Sequence, residues 1–329
     1  MRILIVHPNV IPVKLYGGTE RMIWSLGKEL AKLGHELVYL VKKGSYCDYA
    51  KVLFIDVDRS LIAQIPPDFN VVHFFVRPQE ISRIQVPYLI TMQGNLNDSR
   101  ELDKNTIFVS KNHAQRFGSN SYIHNGIDWD EYSPPDLSRE RNHFHFLAKA
   151  SWKVKNVQGA INVINKTKSE KLEVLGGVRF NFKMGMRFTF SPKVRFRGMI
   201  GGAEKDALLN GSKGLLFPVR WSEPFGIAIT ESLFYGCPVF GTPYGSLPEL
   251  VTADVGYLSN SEDELVNAVL NVNSYSRQRC HEYARDEFNS KIMTLEYLKK
   301  YEKVIQGETL NEKLPCLKEI QKEKFLKWE

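Results

Sequence analysis

Short apolar runs alternate with amphipathic helical segments along the N-terminal third of the chain, and this alternation constrains the fold more than any other feature. The strand-like runs are rich in β-branched and aromatic residues, and they stand in the order RILIVHP, HELVYLV, KVLFIDV, NVVHFFV, PYLITM and TIFVS. An amphipathic segment, GTERMIWSLGKELAKLG, separates the first two runs. Continuous apolar strands joined by helices are typical of parallel sheets that are buried on both faces. The pattern predicts an α/β fold.

The alternation starts again after a polar, proline-containing stretch, DWDEYSPPDLSRERN, at residues 128–142. The second series of apolar runs is FHFLAKA, KLEVLGGV, KVRFRGM, GLLFPV, CPVFGTP and VGYLS. A chain of 329 residues with 43% hydrophobic side chains can fill two cores. We therefore predict two Rossmann-like domains, at residues 1–140 and 141–290, with the polar stretch as the connector. Loops at the carboxyl ends of both sheets would meet a ligand in a cleft between the domains.

Composition argues against several classes of protein. No run reaches the roughly 18 apolar residues of a membrane-spanning helix, and the start, MRILIVHP, lacks the features of a secretory signal. The cysteines are scattered without Cys-x-x-Cys spacing, which argues against a zinc knuckle and a dense disulfide framework. The formal net charge of +7 suits anionic ligands, but the basic residues are spread along the chain. We expect a cytoplasmic protein with reduced thiols and no nucleic acid partner.

The first amphipathic segment predicts a helix with recognisable ends. Thr19 suits the N-cap, and Gly34 suits a left-handed turn that ends the helix. The residues expected on the buried face are Met22, Ile23, Leu26, Leu30 and Leu33. The loop before the helix contains Gly17 and Gly18, which let the backbone approach a ligand, and a helix N-terminus suits a phosphate. A tight turn that needs glycine is the alternative interpretation.

Two acids, Glu223 and Glu231, stand at the start of another helical pattern. The run LLFP ends a predicted strand, a loop contains Glu223, and residues 226–235 predict a helix that contains Glu231. The two carboxylates would lie roughly 12 Å apart along the axis, which is too far for the acid/base pair of a glycosidase. This spacing instead suits two carboxylates that hold different hydroxyl-bearing parts of one elongated ligand, such as a sugar nucleotide.

These residues, in this order and spacing, resemble the retaining glycosyltransferases of GT-B architecture, in particular glycosyltransferase family 4. The resemblance covers nearly the whole chain. The motifs that carry it are YGGTE at 16–20, GHE at 34–36, NGID at 125–128, EPFG at 223–226, GCPV at 236–239 and LPE at 247–249. The resemblance implies a GT-B fold, in which two Rossmann-like domains face each other across a cleft, with the acceptor bound by the N-terminal domain and the donor by the second.

The resemblance also implies roles for individual residues. Glu231 would bind the ribose hydroxyls of the donor, and Glu223 would contact the transferred sugar. The residues after Glu223 that would also contact the donor are Pro224, Phe225, Gly226 and Ile227. Gly17 and Gly18 would lie against the diphosphate, and Met199 would lie near the nucleobase.

The family places a basic pair near the start of the second domain, and Lys149 and Lys155 match it. Breaking the bond between sugar and phosphate leaves negative charge on the diphosphate, which fixed cations stabilise. Lys149 replaces the usual arginine, whose bidentate contact with phosphate a lysine cannot reproduce. Solvated charges at a strand end are the alternative for both lysines. We expect no metal site, because alternation along a strand explains His143 and His145.

One residue departs from the family pattern. Where relatives have a histidine that faces the reacting sugar, this chain has Gln93. Glutamine can hydrogen-bond a hydroxyl but cannot carry a proton or a charge near neutral pH. Either the donor sugar is held differently or activity is reduced. His73 is a candidate partial substitute, although a structural role is the simpler interpretation for it and for His124.

The C-terminal part contains two segments with helical apolar spacing. The first, SKIMTLEYLKKYEKVIQG, predicts a helix, and in the resembling fold such a helix returns to the N-terminal domain, which residues 291–329 would complete. The second, LKEIQKEKFLKWE, places apolar residues among lysines. We expect it to form a helix that either packs on the protein or lies on a membrane surface and brings the enzyme to a lipid-linked acceptor.

The sequence therefore predicts a retaining hexosyltransferase that uses a nucleotide-diphosphate sugar, with UDP- or GDP-linked donors expected and neither a metal nor another cofactor. A glycan or lipid-linked acceptor and a role in bacterial surface polysaccharide assembly follow from the resemblance. The expected location is the cytoplasm or the inner face of the membrane. Two alternatives stay open, namely a non-catalytic subunit that binds a nucleotide sugar and an epimerase or phosphorylase of the same architecture.

Overall fold

The computed structural model describes residues 1–13, 17–181 and 187–329. The strands are β1 (Arg2–His7), β2 (Glu36–Val41), β3 (Lys51–Phe54), β4 (Val71–Phe74), β5 (Tyr88–Met92), β6 (Thr106–Phe108), β7 (His143–Leu147), β8 (Leu172–Leu175), β9 (Phe180–Asn181), β10 (Arg187–Phe188), β11 (Val194–Phe196), β12 (Ser212–Phe217), β13 (Val239–Gly241) and β14 (Gly256–Leu258). The α-helices are α1 (Gly18–Lys32), α2 (Lys111–Arg116), α3 (Val157–Lys166), α4 (Gly202–Asn210), α5 (Ile227–Phe234), α6 (Leu247–Leu250), α7 (Glu262–Leu270), α8 (Arg277–Glu287) and α9 (Ser290–Ile305). Within the described ranges, no helix is both long enough and apolar enough to cross a membrane.

The chain divides into two compact units. The first unit comprises Met1–Val13, Gly17–Asp128 and Phe288–Gln321, and the second contains Trp129–Glu287 and Lys322–Glu329. The predicted division into domains at residues 1–140 and 141–290 stays a prediction.

The first unit is built on a six-stranded sheet with the order β3-β2-β1-β4-β5-β6. Every neighbouring pair is parallel. The strands coincide with the apolar runs of the N-terminal third, which confirms the prediction that these runs are strands. Strand β1 is buried almost throughout, because helices or loops cover both of its faces. Strand order reverses between β1 and β4, and the carboxyl ends of two such strands frame a crevice in open α/β sheets.

Helix α1 differs from its prediction at both ends. It begins at Gly18 with Gly17 at the N-cap position, so the prediction of Thr19 as N-cap is wrong. The backbone turns at Gly17, where φ is 154°, and Thr19 already lies inside the helix. Gly34 has a φ of 82°, which confirms the predicted left-handed turn. Leu33 is 41% exposed because it follows the last helical residue, whereas the other predicted core residues are buried.

Helix α9 confirms that the first C-terminal segment is helical, and it packs against α1, β4 and β5 of the first unit. Two of its tyrosines enter the core. Tyr301 Oη lies 2.8 Å from His73 Nδ1, and Tyr297 Oη lies 3.0 Å from Thr91 Oγ1. His73 Nε2 completes the network 2.7 Å from Thr91 Oγ1. His73 therefore has the structural role, since its two ring nitrogens are both used inside the core.

The second unit contains a six-stranded parallel sheet with the order β11-β8-β7-β12-β13-β14. Its strands coincide with the second series of apolar runs, which confirms the prediction that these runs are strands. Strand order reverses between β7 and β12. The loops that follow these two strands therefore begin side by side at the carboxyl edge of the sheet and lead away in opposite directions. The two described sheets together are the α/β architecture that the sequence predicts.

The stretch at residues 128–142 is more than a connector. The Trp129 ring stacks on Phe234 of α5 at a centroid distance of 4.3 Å and an interplanar angle of 6°. Arg141 is buried, and its guanidinium donates to the carbonyl oxygens of Tyr235 at 2.6 Å and Ser212 at 2.8 Å. The polar composition of this stretch reflects both hydrogen bonds within the second unit and exposure to solvent, since Asp130, Glu131 and Asp136 are exposed.

The tail after α9 is not helical, so both expectations of a helix there are wrong. Its backbone groups bind other segments, which prevents i→i+4 pairing. In the first unit, Leu102 donates to the carbonyl of Pro315 at 2.7 Å, and Lys318 donates to the carbonyl of Arg116 at 2.9 Å. In the second unit, Leu326 donates to a carbonyl 2.9 Å away. The apolar spacing of this tail arises from separate contacts along an irregular segment.

Candidate functional site

A buried ion pair occupies the point in the second unit at which strand order reverses. Lys155 follows β7 and Glu223 follows β12, and their Nζ and Oε2 atoms are 2.5 Å apart. Both side chains are less than a tenth exposed. Trp221 donates its indole N–H to the same carboxylate oxygen at 2.8 Å, and its ring lies 5.0 Å from the Lys155 ammonium. The sheet topology thus brings together two of the residues that the sequence singled out for catalysis.

The backbone on each side of this pair is fixed by residues that tolerate unusual conformations. Asn156 has a φ of 55°, caps α3 by accepting from the Gly159 N–H at 3.1 Å, and donates to the Pro218 carbonyl at 3.0 Å. Asparagine is one of the few residues other than glycine that adopt this region readily. The cap therefore links the loop that carries Lys155 to the loop that carries Glu223.

The Glu223 loop is held from the side of α6. The Ser246 N–H donates to the Glu223 carbonyl at 2.9 Å, and the Ser246 hydroxyl donates to the Phe225 carbonyl at 2.7 Å. Gly245 has a φ of 66°, and a Cβ there would lie 2.2 Å from the Glu223 nitrogen. Only glycine allows this approach of two backbone segments. Gly226, with a φ of 87°, then turns the chain into α5.

Glu231 lies in the second turn of α5, as predicted, and is also part of a buried ion pair. Its Oε1 atom contacts Lys205 Nζ of α4, and the hydroxyl of Tyr132 donates to the same atom at 2.6 Å. Both charged side chains are less than a tenth exposed. The sequence analysis missed Lys205 and Tyr132, because α4 has no clear apolar face and Tyr132 lies in a stretch read as a connector. These two residues could be found only from the contact between α4 and α5, and that contact can be predicted only once the strand order is known.

The remaining predicted donor contacts of the second unit differ in exposure. Lys149 is exposed, with its ammonium 5.7 Å from the Trp152 ring, so it has the position of a solvated charge after a strand. Met199 is 38% exposed in the loop between β11 and α4. Gly198 and Gly202 flank that loop with φ values of 74° and 55°, and a Cβ at either would meet nothing within 4 Å. Pro224 and Phe225 lie in the buried Glu223 loop, and Ile227 is the first residue of α5.

In the first unit, the glycine pair lies at the start of α1. Gly17 precedes the helix, and a Cβ there would lie 2.7 Å from a carboxylate oxygen of Glu20, so the loop is closely packed. Glu20 Oε1 lies 3.2 Å from His7 Nε2 and accepts from Asn9 Nδ2 at 2.8 Å. Burial opposes ionisation of Glu20, but the hydrogen bonds from His7, its own backbone and Asn9 lower the pKa of its carboxyl. Leu15 and Tyr16 of the predicted loop lie outside the described residues.

A cavity of about 370 Å³ lies at the carboxyl edge of the first sheet. Its lining includes His7, Glu20 and Gln93. The Gln93 side chain forms a reciprocal pair with Asn125: Gln93 Nε2 donates to Asn125 Oδ1 at 3.1 Å, and Asn125 Nδ2 donates to Gln93 Oε1 at 3.0 Å. Gln93 is thus bound to another amide, at the edge of this cavity.

The two histidines of β7 face the interior of the second unit. His143 Nε2 lies 3.0 Å from the carbonyl oxygen of Leu208. His145 is enclosed between the hydroxyls of Ser212 at 2.6 Å and Ser232 at 2.8 Å. Burial lowers the pKa of His145 well below its ordinary value of 6.5. Across the described part of the chain, no three His, Cys, Asp or Glu side chains come together as a possible metal site.

The two sheets have the strand arrangement of the GT-B glycosyltransferase fold, and solved structures of that class match over most of the chain. AviGT4, described as a glycosyltransferase involved in avilamycin A biosynthesis, has a TM-score of 0.75 at 17% identity, over 94% of this chain and 99% of that one. HepE from Anabaena, solved in complex with UDP and glucose, has a TM-score of 0.66 at 15% identity, over 92% of this chain and 99% of that one.

Residues 134–287, just under half of the chain, match the model of the family Glycosyl transferases group 1. A Klebsiella pneumoniae protein, described as an uncharacterized 41.2 kDa protein in the cps region, is 30% identical over 115 residues. That match covers 33% of this chain and 32% of the Klebsiella protein, so it spans about a third of each.

Proposed function

We propose that the protein transfers a hexose from a nucleotide-diphosphate sugar to a glycan or lipid-linked acceptor, with retention of configuration and without a metal. The observation that carries this proposal is the Lys155–Glu223 pair at the reversal of strand order in the second unit. It lies inside the segment that matches the family model, at residues 134–287. A cation beside a carboxylate suits a ligand that has a phosphate next to a polyhydroxylated ring.

Glu223 accepts hydrogen bonds from hydroxyls of the transferred sugar, with the backbone of residues 224–227 beside it. Lys155 stabilises the charge that develops on the diphosphate as the bond between the anomeric carbon and the phosphate oxygen breaks. Lys149, being exposed, approaches the phosphate only when the donor is bound. The acceptor oxygen forms the new bond from the face that the diphosphate leaves, and the acceptor proton goes to the departing phosphate oxygen.

Glu231 binds the ribose of the donor. Lys205 and Tyr132 hold one of its oxygens, which fixes the orientation of the carboxylate before the nucleotide arrives. Met199 lies against the base, and its exposure supports this assignment. The complex of HepE with UDP and glucose supports a UDP-linked donor, with GDP as the other candidate.

The N-terminal domain supplies the acceptor site in this proposal, and the Gly17–Gly18 loop contributes contacts to the diphosphate. Its cavity of about 370 Å³ is large enough for a sugar residue of a glycan. We propose surface polysaccharide assembly at the cytoplasmic face of the membrane as the setting. The Klebsiella protein described as lying in the cps region supports this setting.

A second candidate function is a non-catalytic subunit that binds a nucleotide sugar. The reciprocal pair of Gln93 with Asn125 favours it, because the amide that stands in place of the family histidine is already engaged. The exposed position of Lys149 points in the same direction.

The test is a panel of UDP-, GDP- and ADP-linked sugars, assayed for thermal stabilisation of the protein and for slow hydrolysis of the donor, with EDTA present. A transferase should be stabilised by one nucleotide class and should hydrolyse that donor in EDTA. Stabilisation without hydrolysis by the wild-type protein, together with hydrolysis by Gln93→His, would identify the non-catalytic subunit. Absence of stabilisation by every donor would contradict both functions.

A further inference from the structure

Residues 325–329, which we call the clasp, join the second unit beside the Lys155–Glu223 pair. The Leu326 N–H donates to the Arg220 carbonyl at 2.9 Å, and the Arg220 Nε–H donates to the Leu326 carbonyl at 2.8 Å. The Arg220 guanidinium also lies 5.2 Å from the Phe325 ring. Two reciprocal hydrogen bonds and a cation–π contact therefore fix the backbone and the side chain of a single residue.

Arg220 is connected to each member of the ion pair through one intervening residue, Val154 for Lys155 and Trp221 for Glu223. Its N–H donates to the carbonyl of Val154 at 2.7 Å, and Val154 immediately precedes Lys155. On its other side it is followed by Trp221, whose indole donates to Glu223 at 2.8 Å. The clasp thus holds a residue that joins the loop after β7 to the loop after β12, in addition to the link made by Asn156.

Two further contacts place the clasp against the supports of the same loops. The Tyr244 hydroxyl donates to the Lys327 carbonyl at 2.7 Å, and Tyr244 precedes the glycine that packs against the Glu223 backbone. The Trp328 ring covers the first turn of α3, where a Cβ on Gly159 would lie 3.0 Å from its Cε2 atom. The segment is anchored beyond these contacts, since the Glu329 N–H donates to the Asn260 carbonyl at 2.9 Å.

We propose that the clasp positions the Lys155–Glu223 pair for catalysis, with Arg220 as the positioning residue through which it acts. Two loops that each carry one buried charge can hold these charges at a fixed separation only if both backbones are fixed, and the contacts of the clasp contribute that constraint. Glu231 is held from a different side, by Lys205 and Tyr132. Loosening the clasp should therefore disturb the reacting sugar and leave the nucleotide end of the site unchanged. The kinetic part of this inference depends on the proposed function.

The structural part is tested by hydrogen exchange on the full chain. Leu326→Pro removes the N–H that binds Arg220, whereas Leu326→Ala keeps it and serves as the matched control. In Leu326→Pro, the amides of residues 219–225 should exchange at least about tenfold faster, while those of residues 203–210 in α4 stay unchanged. Leu326→Ala should match the wild type in both segments. Equal exchange of residues 219–225 in both variants, or acceleration throughout the second unit, would overturn the proposal.

The kinetic part uses the donor identified by the nucleotide-sugar panel. Leu326→Pro should lower kcat about tenfold or more and change the dissociation constant of the free nucleotide less than about twofold. Tyr244→Phe, which removes one hydrogen bond of the clasp without a proline, should lower kcat about threefold. If kcat and nucleotide affinity fell together, the clasp would stabilise the whole second unit and would not position the Lys155–Glu223 pair specifically. That result would overturn the proposal. If the wild type turns over no donor, the proposed function fails, and the exchange experiment still decides the structural inference.

Discussion

Lys205 and Glu231 form an ion pair between helices α4 and α5, with side chains that are 4% and 8% exposed. The Tyr132 hydroxyl joins them by donating to the same carboxylate oxygen at 2.6 Å. The carboxylate predicted to bind ribose is thus oriented by two side chains that come from distant parts of the sequence. Its role in binding and its role in stability can be separated by experiment.

We expect Glu231→Gln to weaken binding of the free nucleotide about tenfold or more, because an amide is a weaker acceptor for ribose hydroxyls than a carboxylate. Isothermal titration with the nucleotide of the preferred donor measures the change. Glu204→Gln, an exposed substitution in α4, is the control and should bind like the wild type. Unchanged affinity in Glu231→Gln would remove Glu231 from the donor site.

Lys205→Met should destabilise the protein by about 3–5 kcal/mol, because it leaves the Glu231 carboxylate buried without its cation. Urea unfolding followed by circular dichroism gives this free energy. The control is Lys166→Met, which removes the ion pairs with Glu262 and Asp263; because this lysine is 47% exposed, the loss of stability should be much smaller. Equal losses of unfolding free energy in both variants would show that the Lys205–Glu231 pair contributes no more to stability than an exposed ion pair.

Gln93→His should raise turnover about fivefold or more, because an imidazole at this position would break the amide pair with Asn125 and present a group that can carry a proton. Initial rates of donor hydrolysis and transfer measure the effect. Gln115→His, on an exposed face of α2, controls for an added histidine and should leave the rate unchanged. A lower rate in Gln93→His would indicate that the amide pair itself serves the reaction.

Gly245→Ala should lower both stability and turnover. The added Cβ would lie 2.2 Å from the Glu223 nitrogen in a backbone with a φ of 66°, so the Glu223 loop must move. Gly307→Ala is a matched control for the conformational part, since its φ is 83° and a Cβ would meet nothing within 4 Å. Thermal unfolding and kcat should both fall further in Gly245→Ala than in Gly307→Ala. Equal effects would mean that the close approach to Glu223 is unimportant.

Stability should fall as the pH is lowered from 7 through 6. Burial keeps the pKa values of His73 and His145 well below 6.5, so the unfolded chain binds protons that the folded chain does not. Above the unfolded pKa of histidine, both states are neutral and the free energy of unfolding keeps its full value. Below that pKa, the free energy of unfolding falls by about 1.4 kcal/mol per pH unit for each histidine. Urea unfolding between pH 7.5 and 5 measures the slope. His145→Gln should reduce that slope by one histidine's share, and an unchanged slope would contradict this origin.

The strands and the position of the acidic pair could be predicted because each depends on local sequence. Strand β1 and its parallel partners are apolar throughout, and the Pro-Phe-Gly step after Glu223 marks where α5 begins. Lys205 and Tyr132 could not be predicted, because their partner on α5 is brought close only by the order of the strands.

The tail was predicted wrongly for a related reason. Its apolar spacing fits a helix, but Leu326 uses its backbone N–H to bind Arg220, which lies far away in the sequence. Helical periodicity reports which side chains are apolar and does not report where backbone hydrogen bonds go. The same holds for Thr19, where the conformation of Gly17 decides the start of α1.

The Met199 loop has a consequence for how this scaffold can change. A Cβ at Gly198 or Gly202 would meet nothing within 4 Å, and Met199 between them is 38% exposed, while the Gly198 N–H anchors the start of the loop by donating to the Gly177 carbonyl at 3.0 Å. An exposed side chain on such an anchored surface loop can be exchanged with little cost to the core. In the proposed donor complex, preference for one nucleobase over another can therefore diverge, or be engineered, by substitution at Met199, while the sheet beneath stays as it is.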